Sequence, residues 1–207
     1  MFRQGILRWF VLGTAAFVLM WVGMRAPGFS GQVAPSPLVV AAASDLQFAF
    51  TELGLLFEEQ FGQEVVFSFD STGNLAHQVA SGAPVDVFAA ADVAYLDRLQ
   101  AQGLVVPGSR RTYAYGLLVL AVNEAGRSRV ARLEDLLQPG VRHVALANPA
   151  HAPFGSAAKQ ALEAAGLWDA LQPKLVYGES VRQAMQFVQR GSADAGLIAL
   201  SVAGVSG

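Results

Sequence analysis

Three places along this chain repeat one local device: an apolar run, a small hydroxyl residue, then the start of an amphipathic segment. They are Ala41-Ala42-Ala43-Ser44-Asp45-Leu46-Gln47, Asp70-Ser71-Thr72-Gly73-Asn74-Leu75 and Gly178-Glu179-Ser180-Val181-Arg182-Gln183. A helix start leaves backbone N–H groups unpaired and carries partial positive charge, so it holds an anion without a cationic side chain. Several such starts converging on one cleft make a neutral, donor-rich cage for a small oxyanion. Each segment also has a plainer reading. Ser44 with Gln47, and Ser180 with Gln183, satisfy a capping box in which the hydroxyl only closes its own helix. Ser71-Thr72-Gly73-Asn74 fits an ordinary turn, although Gly73 lets backbone approach a ligand and consecutive N–H groups there suit an anion-binding nest. Position favours the binding reading, because ligands of open α/β sheets sit at the C-terminal ends of strands.

Other chemistries find no support. The 207 residues contain no cysteine, which excludes thiolate metal sites, Cys nucleophiles and disulfides. His77, His143 and His151 are the only histidines, and no two stand at metal-ligand spacing. They read as surface or interface residues. The net charge is −2 and no basic face emerges, so nucleic acid is not an expected partner. There is no Gly-x-Ser-x-Gly elbow, no phosphate loop and no Gly-x-Gly-x-x-Gly. No His–carboxylate–nucleophile set can be assembled, and the chain does not read as an enzyme. Lys159 is expected in solvent, Asp86 as a structural carboxylate at a strand entrance, and Asp92 as the cap of the following helix.

The elements that must position these residues follow from hydrophobic periodicity. With 53% hydrophobic residues the chain has ample material for a core. Short apolar runs alternate with amphipathic stretches from Leu38 onward, the pattern of an α/β fold with mostly parallel strands. Strands are expected at 38–43, 64–69, 85–90, 115–122, 142–147, 174–177 and 195–200. Helices are expected from about 46 to 61 with Gly62 as C-cap, then at 75–81, 94–102, 133–137, 156–165 and 180–190. Leu46, Ala49, Phe50, Leu53, Phe57 and Phe61 share one face of the first helix. Ahead of these, Arg3 and Arg8 precede an uncharged apolar stretch from Trp9 to Met24, so residues 1–30 read as a secretory signal or a retained N-terminal anchor, and 31–37 as a linker. The last strand would leave an exposed apolar edge, which suggests a chain truncated at its C-terminus.

Taken together, several segments resemble the periplasmic molybdate-binding proteins of molybdate ABC transporters. They are Ala-Ala-Ala-Ser-Asp-Leu (41–46), Phe-Glu-Glu-Gln-Phe-Gly (57–62), Ser-Thr-Gly-Asn-Leu-Ala-His-Gln (71–78) and Gly-Ala-Pro-Val-Asp-Val-Phe-Ala-Ala-Ala-Asp (82–92). They continue with Asn-Pro-Ala-His-Ala-Pro-Phe-Gly-Ser (148–156), Gly-Leu-Trp-Asp-Ala-Leu (166–171), Gly-Glu-Ser-Val-Arg-Gln-Ala-Met (178–185) and Ala-Asp-Ala-Gly-Leu-Ile-Ala-Leu-Ser (193–201). The resemblance implies a two-lobed type II periplasmic-binding fold of mostly parallel sheets. Lobe 1 would span 38–116, lobe 2 117–198, and 199–207 would return toward lobe 1, the family continuing past Gly207.

By the same resemblance, Ser44 and Thr72 correspond to hydroxyl ligands on the first lobe, and Phe154 and Val181 to positions that offer a backbone N–H. Ser71 and Gly73 are neighbouring candidates. Ala199 stands where some members place a tyrosine hydroxyl, so that ligand would be missing or replaced. Asp45 and Asp70 are expected to turn into solvent or onto their own backbone, because a carboxylate beside an anion raises its cost. The implied protein is a monomer without a cofactor that captures molybdate or tungstate outside the cytoplasm and delivers it to a membrane permease. Alternatives remain: a receptor for sulfate or another small anion, a membrane-anchored sensory domain, or an enzyme on the same fold.

Overall fold

Two sheets organise the chain, and the site residues lie just beyond the ends of their strands. The computed structural model describes residues 36–124 and 130–204, all within one compact unit that begins at Pro35. The expected signal or anchor (1–30) and nearly all of the linker (31–37) lie outside the described residues.

The first sheet contains β1 (Leu38–Ala43), β2 (Val65–Asp70) and β3 (Val87–Ala89), in the order β2-β1-β3 with both pairings parallel. Helices α1 (Gln47–Phe61), α2 (Thr72–Ala80) and α3 (Val93–Ala101) follow its strands in turn. The second sheet contains β4 (Leu118–Val122), β5 (Val144–Ala147), β6 (Leu175–Gly178) and β7 (Ala195–Ala199), ordered β4-β7-β5-β6. Here β4 runs antiparallel to β7 and the other pairings are parallel. Helices α4 (Pro153–Ala164), α5 (Trp168–Leu171), α6 (Val181–Gln189) and α7 (Leu200–Ala203) complete this half. Parallel strands joined through helices bring every β-to-α turn to one end of each sheet.

The two halves are buried very differently. Leu136, Leu146, Leu162 and Leu171 are fully buried on one face of the second sheet, and Ala147, Ala184, Ile198 and Ala199 on the other. The first sheet buries Val40, Ala42 and Ala89, with Leu46, Phe50 and Phe67 packed around them. The apolar face expected on α1 is therefore only partly used: Leu46 and Phe50 meet the sheet, while Leu53 and Phe61 stay 55% and 60% exposed. The helix seats itself through Gly54, which lies under the Phe67 ring.

Four expectations need correction. The helix expected from Leu75 begins at Thr72, because the Ser71 hydroxyl caps it by accepting the Asn74 N–H. The strand expected from Tyr115 begins at Leu118, because Tyr115 is 91% exposed and Gly116 packs under the Phe154 ring, outside any ladder. The helix expected from Ser156 begins at Pro153, whose fixed φ suits a first helical position. The last strand is no exposed edge: β7 is an interior strand between β4 and β5, and α7 follows it.

Gly155 sets how closely α4 approaches β5. A Cβ there would lie 2.2 Å from the carbonyl oxygen of Ala147, a backbone atom that cannot swing aside. Gly155→Ala is expected to cost more than about 2 kcal/mol, beyond ordinary overpacking because no side chain can yield. Gly62→Ala, at φ 66° with open space around it, should cost about 1 kcal/mol. Urea unfolding of the two variants tests the order; equal stabilities would contradict this packing.

Candidate anion-binding site

The C-terminal ends of β1, β2, β5 and β6 all deliver residues to one small cavity. Its walls include Ser44, Ser71 and Thr72 from the first half and Pro153, Phe154 and Val181 from the second. Its volume is about 10 Å³, roughly the room that one water molecule needs. No Lys or Arg lines it. Thus Ser44, Ser71, Thr72, Phe154 and Val181 come together, while Gly73 and Ala199 are not among its lining residues.

Each donor is available for a local reason. Between β1 and α1 lies a short 3-10 turn, Ser44–Leu46, which places Ser44 inside the turn rather than at its cap. The expected Ser44–Gln47 capping box is therefore not formed, and the hydroxyl takes no cap bond. Thr72 is fully buried, and its Oγ1 accepts the Ala91 N–H at 3.1 Å. One lone pair is thereby engaged, while the O–H remains to donate. At α4 the N-cap is Ala152, which has no side chain able to cap, and Pro153 has no N–H. Phe154 consequently supplies the first backbone donor of that helix. At α6, Ser180 caps by accepting the Gln183 N–H at 3.3 Å, and the Gln183 side chain accepts the Glu179 N–H at 2.6 Å. Val181 is the first residue of that helix, so its N–H has no partner within it.

Gly73 has a different task. Its N–H donates to the carbonyl oxygen of His151 at 2.9 Å, from the first half to the second, and a Cβ there would lie 2.4 Å from that oxygen. The nest expected at Gly73 is thus engaged by protein. Ala199 is fully buried at the end of β7. His151 is the residue that the sequence left undistinguished: its Nδ1 lies 3.0 Å from Ser71 Oγ and its Nε2 3.3 Å from Glu179 Oε2. The signal that could have found it is its setting, Asn148-Pro149-Ala150-His151-Ala152-Pro153, a loop too rich in turn residues for a bland connection. The alanines Ala43, Ala91 and Ala152 also line the cavity, their small side chains leaving backbone close to it.

The carboxylates divide. Asp70 accepts from the Ser71 N–H at 2.6 Å and from the Asn74 side-chain amide, local bonds of the kind expected. Asp45 is buried rather than solvated, lining this cavity and also a separate groove of about 910 Å³ along β3 and residues 104–116. Burial pushes its carboxyl up to about 6, offset in part by a bond from its own backbone N–H. Burial and the Asp45 charge together push the Tyr113 hydroxyl up to about 12. Elsewhere Asp92 caps α3 through the Ala94 N–H, Asp86 accepts the Val39 N–H, and Lys159 pairs with Glu163 at the surface.

Because the folded state holds a proton on Asp45 more tightly than the unfolded chain does, stability falls as pH rises from about 4 to about 6 and stays reduced above that window. Asp45→Asn should therefore raise the melting midpoint at neutral pH, by up to about 3 kcal/mol in stability, and flatten the curve across the window. Thermal melts of both proteins across this pH range check it; no gain at neutral pH would contradict a buried charge here.

Residues 38–206 match the family model described as bacterial extracellular solute-binding protein. The molybdate-binding protein ModA of Rhodobacter capsulatus is 36% identical over 189 residues, covering 91% of this chain and 72% of that protein. ModA of Azotobacter vinelandii is 40% identical over 166 residues, covering 78% and 64%. The solved structure of the Azotobacter vinelandii periplasmic molybdate-binding protein superposes with a TM-score of 0.73 at 38% identity, covering 79% of this chain and 71% of that one. The chain thus spans about two thirds to three quarters of the length of these relatives. It belongs to the bacterial extracellular solute-binding proteins, among the relatives of the molybdate-binding proteins ModA.

Proposed function

We propose that this chain captures molybdate, or the isostructural tungstate, between two lobes outside the cytoplasm and passes it to the permease of an ABC transporter. The observation that carries this reading is the convergence of Ser44, Thr72, Phe154 and Val181 on one small cavity without a cationic side chain. The relatives named as molybdate-binding support the choice of anion. The lobes in this reading are residues 38–116 and 117–198, with 199–207 turning back toward the first, and the N-terminal 1–30 directs export to the periplasm. The protein works as a monomer and needs no cofactor.

The mechanism follows from the donors. A tetrahedral dianion gives up its water on entry, and bonds from N–H and O–H groups to a charged acceptor are roughly twice as strong as neutral ones. The backbone N–H groups of Phe154 and Val181 carry helix-start dipoles, and the hydroxyls of Ser44 and Thr72 face them from the other lobe. Each lobe alone supplies half a shell. The anion completes it and draws the lobes together, a hinge closure around the ligand. A cavity of about 10 Å³ is smaller than a tetrahedral anion, so the lobes must part to admit one. Selection against sulfate comes from size: a smaller anion cannot reach both sets of donors, and each donor it misses stays buried and unpaired.

Titration calorimetry with molybdate, tungstate and sulfate tests the assignment. Molybdate is expected to bind far more tightly than sulfate; sulfate binding equally well would overturn it. Ser44→Ala and Thr72→Ala should each weaken molybdate binding by ~1–3 kcal/mol, and unchanged affinity in both would remove the site. Gly73→Ala should impair closure, because the new methyl meets the His151 carbonyl oxygen only when the lobes approach. It should weaken binding at least about tenfold, a loss of ~1.4 kcal/mol, while leaving the melting midpoint of the free protein within a few degrees. A midpoint that falls steeply with affinity unchanged would refute that role.

A further inference from the structure

We propose that His151 is a positioning residue that couples oxyanion capture to uptake of a proton, by setting which way the Ser71 hydroxyl points. The inference rests on the oxyanion-binding reading above.

Ser71 lines the cavity, and its Oγ has two neighbours outside it: the Asn74 N–H at 3.4 Å and His151 Nδ1 at 3.0 Å. The other imidazole nitrogen, Nε2, faces the Glu179 carboxylate at 3.3 Å. A carboxylate can only accept, so the nearby Glu179 oxygen suits the tautomer with its proton on Nε2. In the neutral ring Nδ1 is then an acceptor, and the Ser71 O–H donates to it. Ser71 consequently turns a lone pair toward the cavity, which repels an anion. When the ring takes up a second proton, Nδ1–H donates to Ser71 Oγ. Both lone pairs of that oxygen are then occupied, by Asn74 N–H and His151 Nδ1–H, and the O–H has the cavity as its remaining direction. One proton thereby converts an acceptor into a donor and adds positive charge beside the anion.

The geometry also makes this an event between the two halves. Ser71 belongs to the turn after β2, whereas His151 and Glu179 lie in the turns after β5 and β6. The same His151 accepts the Gly73 N–H through its backbone carbonyl. The imidazole therefore meets Ser71 only when the halves are together, the state that encloses a ligand. The charged groups on the surrounding elements are Glu179 at the start of α6, Asp70 beside Ser71, Asp45 across the cavity, and Arg182 on α6 stacked over Phe48. Asp70 is engaged by the Ser71 N–H and the Asn74 amide, and Asp45 by its own N–H. Of these, Glu179 directly contacts the ring.

Imidazole is the side chain whose charge ordinarily changes between about pH 5 and 8, which sets the range to test. A ligand that binds the protonated form better must bind more weakly as pH rises. Molybdate is the probe, at micromolar concentration between about pH 6 and pH 8, where it remains a tetrahedral dianion. Wild-type affinity is expected to fall about tenfold across that range, and calorimetry in buffers of different ionisation enthalpy should register uptake of up to about one proton per anion. His151→Asn places a non-titrating amide donor near the Nδ1 position, so it should retain binding while losing most of the pH dependence and proton uptake. His151→Ala and Ser71→Ala should bind more weakly and also lose that dependence. Asp45→Asn, measured in parallel, reports any contribution from the buried carboxylate. If His151→Asn keeps the wild-type pH profile, or Asp45→Asn alone abolishes it, the role of His151 is overturned while the capture reading stands. If wild type binds no molybdate at any pH, both fall.

Discussion

A divalent oxyanion taken out of water must be met at once by donors already aimed at it and engaged nowhere else. That constraint accounts for the local chemistry around the cavity. Where a helix start would ordinarily be closed by a side chain, α4 begins at Ala152-Pro153, which has neither a capping oxygen nor, at Pro153, an N–H to satisfy. At α6 a cap exists, but it is directed to Gln183, one turn in, and leaves Val181 free. Thr72 accepts Ala91 N–H, so the direction of its hydroxyl hydrogen is not fixed from within its own half. Uncapped donors cost stability in isolation. They are tolerated where a ligand completes them.

Several contacts between the halves cluster near the same cavity. Gly73 N–H to the His151 carbonyl is one, and Ser71 to the His151 ring is another. A third is the Arg182 guanidinium over the Phe48 ring at 4.8 Å, joining α6 to α1. Neutral hydrogen bonds contribute about 1 kcal/mol net and exposed cation–π pairs somewhat less. In the proposed closure, hydrogen bonds of this size add only modestly to the cost of separating the halves. The second half, with its two buried clusters, is the stiffer platform. The first sheet, with few buried side chains, contributes mainly the strand ends.

Much of this was legible in the residues, for identifiable reasons. Alternating apolar runs and amphipathic stretches located all seven strands to within a few residues, since hydrophobic period is a property of the chain itself. Hydroxyl residues at strand ends pointed to Ser44 and Thr72, because small polar side chains in such places serve either caps or ligands. What periodicity could not supply was contact across sequence distance. Gly73 read as a flexible ligand-facing glycine, yet the nearness of His151 makes it a joint between halves. Tyr115 looked like strand, because an aromatic in an apolar run carries no mark of Gly116 packing beneath Phe154. The central place of β7 depends on its partners β4 and β5, which no local pattern encodes.

In the proposed site, Asp45 gives a reason for the first turn to use a hydroxyl while the helices of the second half use main chain. Its carboxylate lies beside its own backbone N–H and offsets part of the positive field of that turn. The turn after β1 therefore has less positive field to offer than the starts of α4 and α6, which leaves the Ser44 hydroxyl as its proposed donor. The same carboxylate stands between the anion cavity and the larger groove bounded by Tyr113, where its charge already opposes ionisation of that phenol. A negative charge held there raises the energy of any anion that does not gather the full set of opposing donors. On the proposed reading, a carboxylate at this position penalises a poorly fitted anion more than a well-fitted tetrahedral one.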